Sequence, residues 1–380
     1  MAYDIVNPEL KKEKISFLEV QISDSNCKSL KELILKELIL KELNNKIKII
    51  DFIEQYFNLN QKRTFVTSTS TPFNINNLKS NSISSLINLM RINDVRYVNK
   101  FIEAINRKLP DDGLFCGCVE TYPNRKKALF DKYPIFLNWF VYLLDTFFNR
   151  VLPKLKITKK IYFYLTKGKG RVMSKAETFG RLYSCGFEII DEKIVNNMLF
   201  FIAKKVKKPT YDKTPTYGAL IILQRIGKDY KKFNVYKLRT MHPYSEYLQE
   251  YIYNQNNLQA GGKIKDDFRI SLAGKFLRRF WIDELPMLIN ILKGNMKLVG
   301  VRPLSQHFFS LYSEDLQKLR TQFKPGLIPP FYADLPKTFD EIMESEKKYL
   351  NLCKKSQFIT DLKYFLLAFK NIVFKGARSS

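Results

Sequence analysis

Histidine and cysteine are scarce in this chain, and their scarcity argues against several kinds of site. Only two histidines occur among 380 residues, which weakens any catalytic or metal-binding scheme built on histidine. The five cysteines are scattered, with no C-x-x-C pair, so we expect reduced thiols in a reducing compartment. Cys116 and Cys118 would share one face of a strand, where two small buried side chains are a simpler interpretation than a metal site.

A long apolar run is also missing. No stretch of about 18 apolar residues occurs, so no membrane-spanning helix is predicted. The first residues have no basic start leading into an apolar segment, so we expect no secretory signal peptide. The apolar segment 134–153 reads PIFLNWFVYLLDTFFNRVLP. As a helix, its residues 135–148 would reach only about 21 Å, short of a hydrocarbon core of about 30 Å.

Positive charge, in contrast, is abundant. The chain has 64 Lys and Arg against 37 Asp and Glu, a net charge of +27. This balance implies an anionic partner, such as nucleic acid, an anionic membrane surface or phosphorylated substrates. No recognised nucleic-acid-binding motif accompanies the charge, so we expect no nucleic-acid partner.

The charge is dense around the apolar segment. Residues 121–175 contain 13 Lys and Arg against 2 acidic residues. An aromatic helix among cations is typical of a helix lying in the membrane interface. A buried core helix flanked by solvated basic loops is the alternative.

The N-terminal half predicts alternating helices and strands. Residues 30–43 read LKELILKELILKEL, a five-residue repeat whose composition favours a helix. Ser174 is a candidate N-cap, with Glu177 three positions on. The predicted elements are a helix at 94–109, a strand at 114–119, a helix at 174–184 and strands at 187–190 and 198–206.

This order resembles the C-terminal half of a class I methyltransferase, through KLPDDGLFCGCVET, KAETFGRLYSCGFEII and NNMLFFIAKKV. The resemblance implies a degenerate Rossmann-like domain. The glycine-rich turn that binds S-adenosylmethionine in that family has no counterpart in residues 1–90. A scaffold that lost its cofactor is therefore favoured over a working methyltransferase.

An acidic pair stands out in the C-terminal half, in WIDELP at 281–286. Asp283 and Glu284 are adjacent in an apolar setting, with Arg278 and Arg302 available nearby in the sequence. Acidic residues before a helix also stabilise its N-terminus, so capping is an alternative role for one of them. Mg²⁺ prefers a few carboxylates plus substrate phosphate oxygens, and an aspartate can attack phosphorus. The pair predicts a metal- and phosphate-binding site.

At these residues the chain resembles the bacterial sugar transferases, the monotopic phosphoglycosyl transferases. The resemblance runs through QRIGKDYKKFNVYKLRTM, DDFRISLAGKFLRRFWIDELPMLINILKGNMKLVGVRP and KPGLIPPFYAD, and covers roughly 217–335. It implies transfer of a phospho-sugar from a UDP-sugar to undecaprenyl phosphate, with release of UMP, as the priming step of polysaccharide synthesis. It also implies a monotopic or peripheral protein on the cytoplasmic face of the bacterial inner membrane.

The resemblance further implies roles for individual residues. Asp283 would be the nucleophile that forms an aspartyl phospho-sugar, and Glu284 would support metal binding or proton handling. Both acids would hold Mg²⁺. Removing Asp283 should abolish activity, whereas Lys297 should matter little for activity. The residues that would bind the substrate are Lys237, Arg239, Arg278, Arg302 and Pro303.

The predicted fold is α/β or α+β in three parts. Residues 1–70 would form a helical segment, and 71–207 the Rossmann-like domain with an apolar membrane-interface insertion near 134–153. Residues 208–380 would form a helix-rich α+β catalytic domain with interfacial amphipathic helices. The amphipathic and basic stretch 360–375 would either pack on this domain or lie on lipid. Two alternatives stay open: a catalytically silent membrane-associated scaffold, and an S-adenosylmethionine-dependent methyltransferase.

Overall fold

The computed structural model describes residues 43–59, 63–155, 157–211, 218–256 and 267–375. Residues 30–42 of the five-residue repeat and most of the predicted segment 1–70 therefore lie outside the described residues. The chain divides into two compact units, one made of 1–120 with 188–208 and the other of 121–187 with 209–380.

The first unit is a sheet with helices. Its elements are α1 (Leu43–Glu54), β1 (Thr64–Thr67), α2 (Phe73–Asn77), β2 (Ser85–Arg91), a 3₁₀ turn (Ile92–Asp94), α3 (Val98–Lys108), β3 (Leu114–Val119), β4 (Phe187–Val195) and β5 (Met198–Lys205). The predicted strands at 114–119 and 198–206 are thus confirmed, whereas the predicted helix at 94–109 begins later, at Val98.

The five strands of this unit have the order β1-β2-β3-β5-β4. Strands β1, β2 and β3 run parallel, and β5 pairs antiparallel with β3. Cys116 and Cys118 lie in the core with Ile53 and Ile87, which confirms that they are small buried side chains. Burial raises the pKa of the Cys118 thiol to about 12, so it stays protonated and unreactive at neutral pH.

The second unit begins with helices and continues through short strands. Its elements are α4 (Tyr122–Lys132), α5 (Ile135–Thr146), a π-helical turn (Phe147–Val151), a 3₁₀ turn (Leu152–Lys154), α6 (Lys159–Thr166), α7 (Lys175–Ser184), β6 (Leu220–Ile226), a 3₁₀ turn (Lys228–Tyr230), β7 (Lys232–Leu238), a 3₁₀ turn (Ser245–Leu248), α8 (Gln249–Asn256), α9 (Leu272–Arg279), a 3₁₀ turn (Ile282–Met287), α10 (Leu288–Leu292), β8 (Lys297–Val299), α11 (Gln306–Ser310), α12 (Glu314–Thr321), β9 (Gly326–Ile328), α13 (Phe331–Asp334), α14 (Phe339–Lys355) and α15 (Gln357–Lys375). Strands β6 and β7 form an antiparallel hairpin, and β8 and β9 pair in parallel.

Residues 121–187 belong to this second unit, whereas the predicted boundaries assigned them to the Rossmann-like part. The reason is a close packing of α7 against the turn at 245–248. A Cβ on Gly180 would lie 2.2 Å from the carbonyl oxygen of Tyr244, so glycine lets the two backbones meet. Arg181 also lies over the Tyr244 ring at 4.5 Å. The predicted N-cap is confirmed, because Ser174 Oγ accepts a hydrogen bond from the Glu177 amide at 3.0 Å.

The apolar segment forms helix α5 and the π-helical turn that follows it. Within α5 only Asn138 is buried, so the alternative of a core helix does not describe this segment. No helix among the described residues is long and apolar enough to cross a membrane.

A polar network joins β8 to the two long C-terminal helices. Lys297 Nζ donates to the carboxylate of Asp361 at 2.8 Å and to the hydroxyl of Tyr349 at 3.0 Å. The Tyr349 ring is fully buried, and its hydroxyl donates in turn to Asp361. Lys297 and Asp361 are 15% and 23% exposed, so removing one charge leaves the other poorly solvated.

We therefore predict that Lys297→Met destabilises the protein by about 1–3 kcal/mol, since it leaves Asp361 without its charged partner. Urea unfolding of the purified chain measures this change. Lys318→Met, at an exposed position of α12, is the matched control and should change the free energy of unfolding little. Equal effects of the two substitutions would contradict the structural role of Lys297.

Candidate active site

A cleft of about 300 Å³ opens in the second unit between the β6–β7 hairpin, the 3₁₀ turn at 282–287, the residues that follow β8, and β9 with the residues after it. Its charged lining consists of one acid, Glu284, and three cations. The lining residues are Leu223, Arg225, Val235, Lys237, Glu284, Met287, Arg302, Pro303, Leu304, Ser305, Phe308, Gly326, Leu327, Pro329, Phe331 and Tyr332. The cleft therefore brings together four of the residues predicted from the sequence, namely Glu284, Lys237, Arg302 and Pro303.

Glu284 is held by two cations. Lys237 Nζ on β7 donates to Glu284 Oε1 at 2.6 Å, and Arg302 lies 3.8 Å from the same oxygen. Lys237 and Glu284 are each 16% exposed. Burial lowers the pKa of Lys237, Glu284 raises it and Arg302 lowers it again. The lysine is thus a partly desolvated cation whose charge is maintained by the glutamate.

A buried asparagine, which no sequence pattern had singled out, fixes the distance between strand β7 and the acidic turn. Asn290 on α10 is fully buried. Its amide donates to the carbonyl of Asn234 at 2.6 Å and accepts from the amide of Tyr236 at 3.2 Å. These two bonds tie α10 to β7, so the turn that precedes α10 stays next to Lys237.

Asp283 is the less compensated of the two acids. It follows Trp281, whose backbone has a left-handed φ of 57°, and the described residues provide no ion pair for its carboxylate. Burial raises the pKa of Asp283, and the neighbouring Glu284 raises it further, while Lys237 and Arg278 lower it. A half-buried carboxylate next to another carboxylate is well suited to a reacting group or a cation ligand.

Arg278 reaches this acid from α9. Its Nε donates to Thr240 Oγ1 at 3.0 Å, and the opposite charge of Asp283 raises its pKa against the lowering caused by burial. The helix approaches β7 closely at Gly274, where a Cβ would lie 1.9 Å from the Thr240 carbonyl oxygen. A glycine at this position is therefore required for Arg278 to come near Asp283.

Arg302 is held in place by a second close backbone approach, between β9 and the end of β8, and by a hydrogen bond from Arg320. A Cβ on Gly326 would lie 2.0 Å from the amide nitrogen of Gly300, so this glycine pair lets β8 and β9 meet. Arg320 then donates to the carbonyl of Arg302 at 2.6 Å. Arg320 also forms a buried ion pair with Glu346. Neither partner of this pair was singled out from the sequence.

Two arginines, Arg225 on β6 and Arg239 just after β7, lie in places that the site prediction did not anticipate. Arg225, which was not among the predicted site residues, lines the cleft, and the charge of Arg302 adds to burial in lowering its pKa. Arg239, which was predicted to bind substrate, is not among the described residues that line the cleft. Its Nε donates to the carbonyl of Gly218 at 2.8 Å. Burial lowers the pKa of Arg239, and the charges of Glu246 and Glu177 raise it.

The residues present fit a divalent cation only in part. Asp283 and Glu284 offer two adjacent carboxylates. Burial, and after it the charge of Glu284, raises the pKa of Asp283, and a nearby cation would favour its ionised form. The described residues contain no group of three or more His, Cys, Asp and Glu side chains that could hold a metal. Mg²⁺ commonly takes one or two carboxylates and completes its shell with substrate phosphates and water. The acidic pair therefore suits a metal that arrives with a phosphorylated substrate.

A protein-family model matches the part of the chain that contains this site. Residues 198–375 match the model described as bacterial sugar transferase. The match covers the cleft, the acidic pair and the C-terminal helices. This match agrees with the family resemblance predicted from the sequence and extends it to residues 198–375.

Three curated relatives illustrate the similarity. The galactosyl transferase CpsE of Streptococcus agalactiae serotype III is 33% identical over 159 residues, which is 41% of this chain and 34% of the relative. The undecaprenyl-phosphate galactose phosphotransferase of Salmonella typhimurium is 39% identical over 109 residues, 27% of this chain and 23% of the relative. The UDP-glucose:undecaprenyl-phosphate glucose-1-phosphate transferase of Klebsiella pneumoniae is 31% identical over 146 residues, 37% of this chain and 29% of the relative. The chain thus matches about a quarter to a third of the length of each.

The different environments of the two acids predict opposite effects on stability. An aspartate whose pKa is raised on folding destabilises the folded state above its unfolded pKa. We therefore predict that Asp283→Asn stabilises the protein at pH 7. The gain should shrink as the pH falls through the raised pKa of Asp283 toward the ordinary value of 3.8, because the wild-type carboxyl then becomes neutral as well.

Glu284→Gln is the matched variant, and it should destabilise the protein by about 1–3 kcal/mol, since it leaves Lys237 without its charged partner. Urea unfolding between pH 4 and pH 8 measures both variants. A loss of stability in Asp283→Asn as large as that in Glu284→Gln would contradict the asymmetry between the acids.

Proposed function

We propose that this chain is a polyprenyl-phosphate phosphoglycosyl transferase, which transfers a phospho-sugar from a UDP-sugar to undecaprenyl phosphate and releases UMP. The product would prime the synthesis of exopolysaccharide, capsule or lipopolysaccharide O-antigen. The names of the relatives from Salmonella and Klebsiella both contain undecaprenyl phosphate, and they support this substrate class.

The charge of the cleft is the observation that carries the proposal. Arg225, Lys237 and Arg302 line it together with a single acid, Glu284, so the lining has an excess of positive charge. Burial lowers the pKa of Arg225 and of Lys237, and Arg302 lowers both further. Mutually repelling, desolvated cations favour the arrival of an anion, and a diphosphate supplies the charge to satisfy them.

Asp283 would carry the covalent step. Its carboxylate oxygen attacks the β-phosphorus of the UDP-sugar, the bond from that phosphorus to the bridging oxygen breaks, and UMP leaves with the electron pair. A phosphate oxygen of the polyprenyl phosphate then attacks the same phosphorus and releases the carboxylate. The step needs ionised Asp283, which Lys237 and Arg278 favour by lowering its pKa.

The cations and Glu284 would position the reactants. Phosphoryl transfer depends on placement and charge neutralisation more than on covalent help from the protein. Asp283 and Glu284 would hold Mg²⁺, which when bound neutralises phosphate charge. Because undecaprenyl phosphate resides in a bilayer, we place the protein as a monotopic or peripheral protein at the cytoplasmic face of the bacterial inner membrane.

The reaction is tested by incubating the purified chain with a panel of UDP-sugars, Mg²⁺ and undecaprenyl phosphate while UMP release is measured. We expect UMP release with at least one sugar, and a loss of at least about 10³-fold in Asp283→Asn, which removes the nucleophile. Asp315→Asn, an exposed carboxylate on α12, should retain nearly full turnover.

Two results would overturn this function. Full turnover by Asp283→Asn would exclude the aspartyl intermediate while leaving the transfer itself in place. Absence of UMP release with every UDP-sugar, in a preparation whose unfolding is cooperative, would instead favour the catalytically silent scaffold.

A second prediction compares the two hairpin arginines. Because Arg225 lines the cleft and Arg239 does not, we predict that Arg225→Gln raises the KM for the UDP-sugar about 10-fold or more. Arg239→Gln should raise it less than about threefold. Steady-state kinetics at varied UDP-sugar concentration measure both values, and a larger effect at Arg239 would show that substrate binds outside the cleft.

A further inference from the structure

Helix α5 and the following π-helical turn expose their apolar side and bury their polar side, the reverse of an ordinary surface helix. A surface helix normally packs its apolar stripe against the core and exposes its polar side. Here nine large apolar side chains recur at helical spacing and are all exposed, and we call them the apolar platform. They are Ile135, Phe136, Trp139, Phe140, Leu143, Leu144, Phe147, Phe148 and Val151.

The polar side of the same helix faces the protein. Asn138 is buried, and Asp145 is 13% exposed. Arg125 of α4 donates to both carboxylate oxygens of Asp145, at 2.7 and 2.6 Å, and Asn149 donates to Asp145 at 2.8 Å. This bidentate pair fixes the rotation of α5 about its axis. The outward direction of the apolar platform is therefore set by specific bonds.

The neighbouring helices extend the exposed apolar surface. Beyond the platform, Ile157 is 88% exposed, and Ile161, Tyr164 and Leu165 are 62–82% exposed. Isolated apolar side chains are common on protein surfaces, but contiguous ones in this number indicate that something covers them.

The charges beside the platform identify what covers it. Residues 121–166 contain nine Lys and Arg and two Asp. Lys126 Nζ lies 4.3 Å from the ring centre of Trp139 and 5.0 Å from that of Phe130. Lys127, Lys132 and Lys159 are exposed. Lysine is depleted in protein–protein interfaces, whereas lysine with tryptophan and phenylalanine is typical of helices that lie in the headgroup region of an anionic bilayer.

We propose that residues 121–166 form a membrane-docking surface, in which the apolar platform enters the interfacial region of an anionic bilayer and the lysines contact lipid phosphates. The platform lies in the plane of the membrane, because no helix of the described residues can span it. These residues precede the region 198–375 that matches the sugar transferases. The docking surface is thus a property of this chain outside the family match, and its test does not depend on the proposed reaction.

The proposal is tested by flotation of the full chain with phosphatidylglycerol–phosphatidylcholine vesicles that contain no nucleotide sugar and no polyprenyl phosphate. We expect the triple variant Phe136→Ser, Trp139→Ser, Phe140→Ser to lower the partition coefficient by at least about tenfold. The control is Phe73→Ser with Tyr97→Ser, two side chains of the first unit that are 66% and 57% exposed, and it should change partitioning less than about twofold.

Three results would overturn the docking surface. Equal flotation of the triple variant and the wild type would show that other residues bind lipid. Complete release of the wild type by 1 M salt would leave charge attraction alone and exclude burial of the platform. A triple variant that changes the sedimentation of the free protein from a dimer to a monomer, with no change in flotation, would assign the platform to a second copy of this chain.

A conservative variant avoids any question of folding. The chain has only two tryptophans, Trp139 in the platform and Trp281 beside the acidic pair. Lipids brominated near the headgroup should quench wild-type fluorescence, and most of this quenching should disappear in Trp139→Phe, which keeps an aromatic ring. Unchanged fractional quenching in Trp139→Phe would contradict insertion of the platform.

Discussion

The ion pair between Lys237 and Glu284 is the constraint on which the candidate site depends. It joins strand β7 to the 3₁₀ turn at 282–287 through a contact of 2.6 Å. Two charges that are mostly withdrawn from water are stable only when they meet in good geometry, so the pair selects one relative placement of hairpin and turn. Asn290 supports the same placement with two hydrogen bonds to the backbone of β7. The position of Asp283 is then a consequence, because it directly precedes Glu284 in the same turn.

The ion pair also divides the tasks of two acids that are adjacent in the sequence. Glu284 satisfies Lys237 and lies near Arg302, whereas Asp283 has a raised pKa caused by burial and by Glu284. When two neighbouring carboxyl groups have such different surroundings, they commonly have separate chemical roles. The compensated acid suits positioning, and the uncompensated acid suits attack on phosphorus or contact with a cation. The cost of leaving Asp283 partly desolvated is a loss of folding stability at neutral pH.

Local patterns predicted the local parts of this structure. Strand β3 at 114–119 and the Ser174 cap follow from periodicity and capping chemistry, which act over a few residues. Arg225, Asn290 and the Arg320–Glu346 pair depend instead on contacts between elements far apart in the chain, two of which meet at Gly300 and Gly326. The ion pair of Lys297 with Asp361 on α15 was missed for the same reason, since no short-range pattern links the two residues. The prediction that Lys297 matters little concerns activity and stays a prediction. The family resemblance supplied Glu284, which lines the cleft, and also Asp283 and Arg239, which are not among the described residues of the cleft lining.

Periodicity also fixes which residues share a helix face without fixing the direction in which that face points. Helix α5 has a clear apolar stripe, and the ion pair of Arg125 with Asp145 turns that stripe outward. Helix α15 has the same character, because Tyr364, Ala368 and Asn371 are buried while Leu362, Leu366 and Phe369 are exposed. An enzyme whose acceptor stays in the bilayer gains from such outward stripes, since docking confines its cleft to the layer in which the acceptor's phosphate lies. Under the function and the docking surface proposed above, the outward apolar stripe of α5 would hold the protein at the bilayer, and the cationic cleft would receive the water-soluble nucleotide sugar.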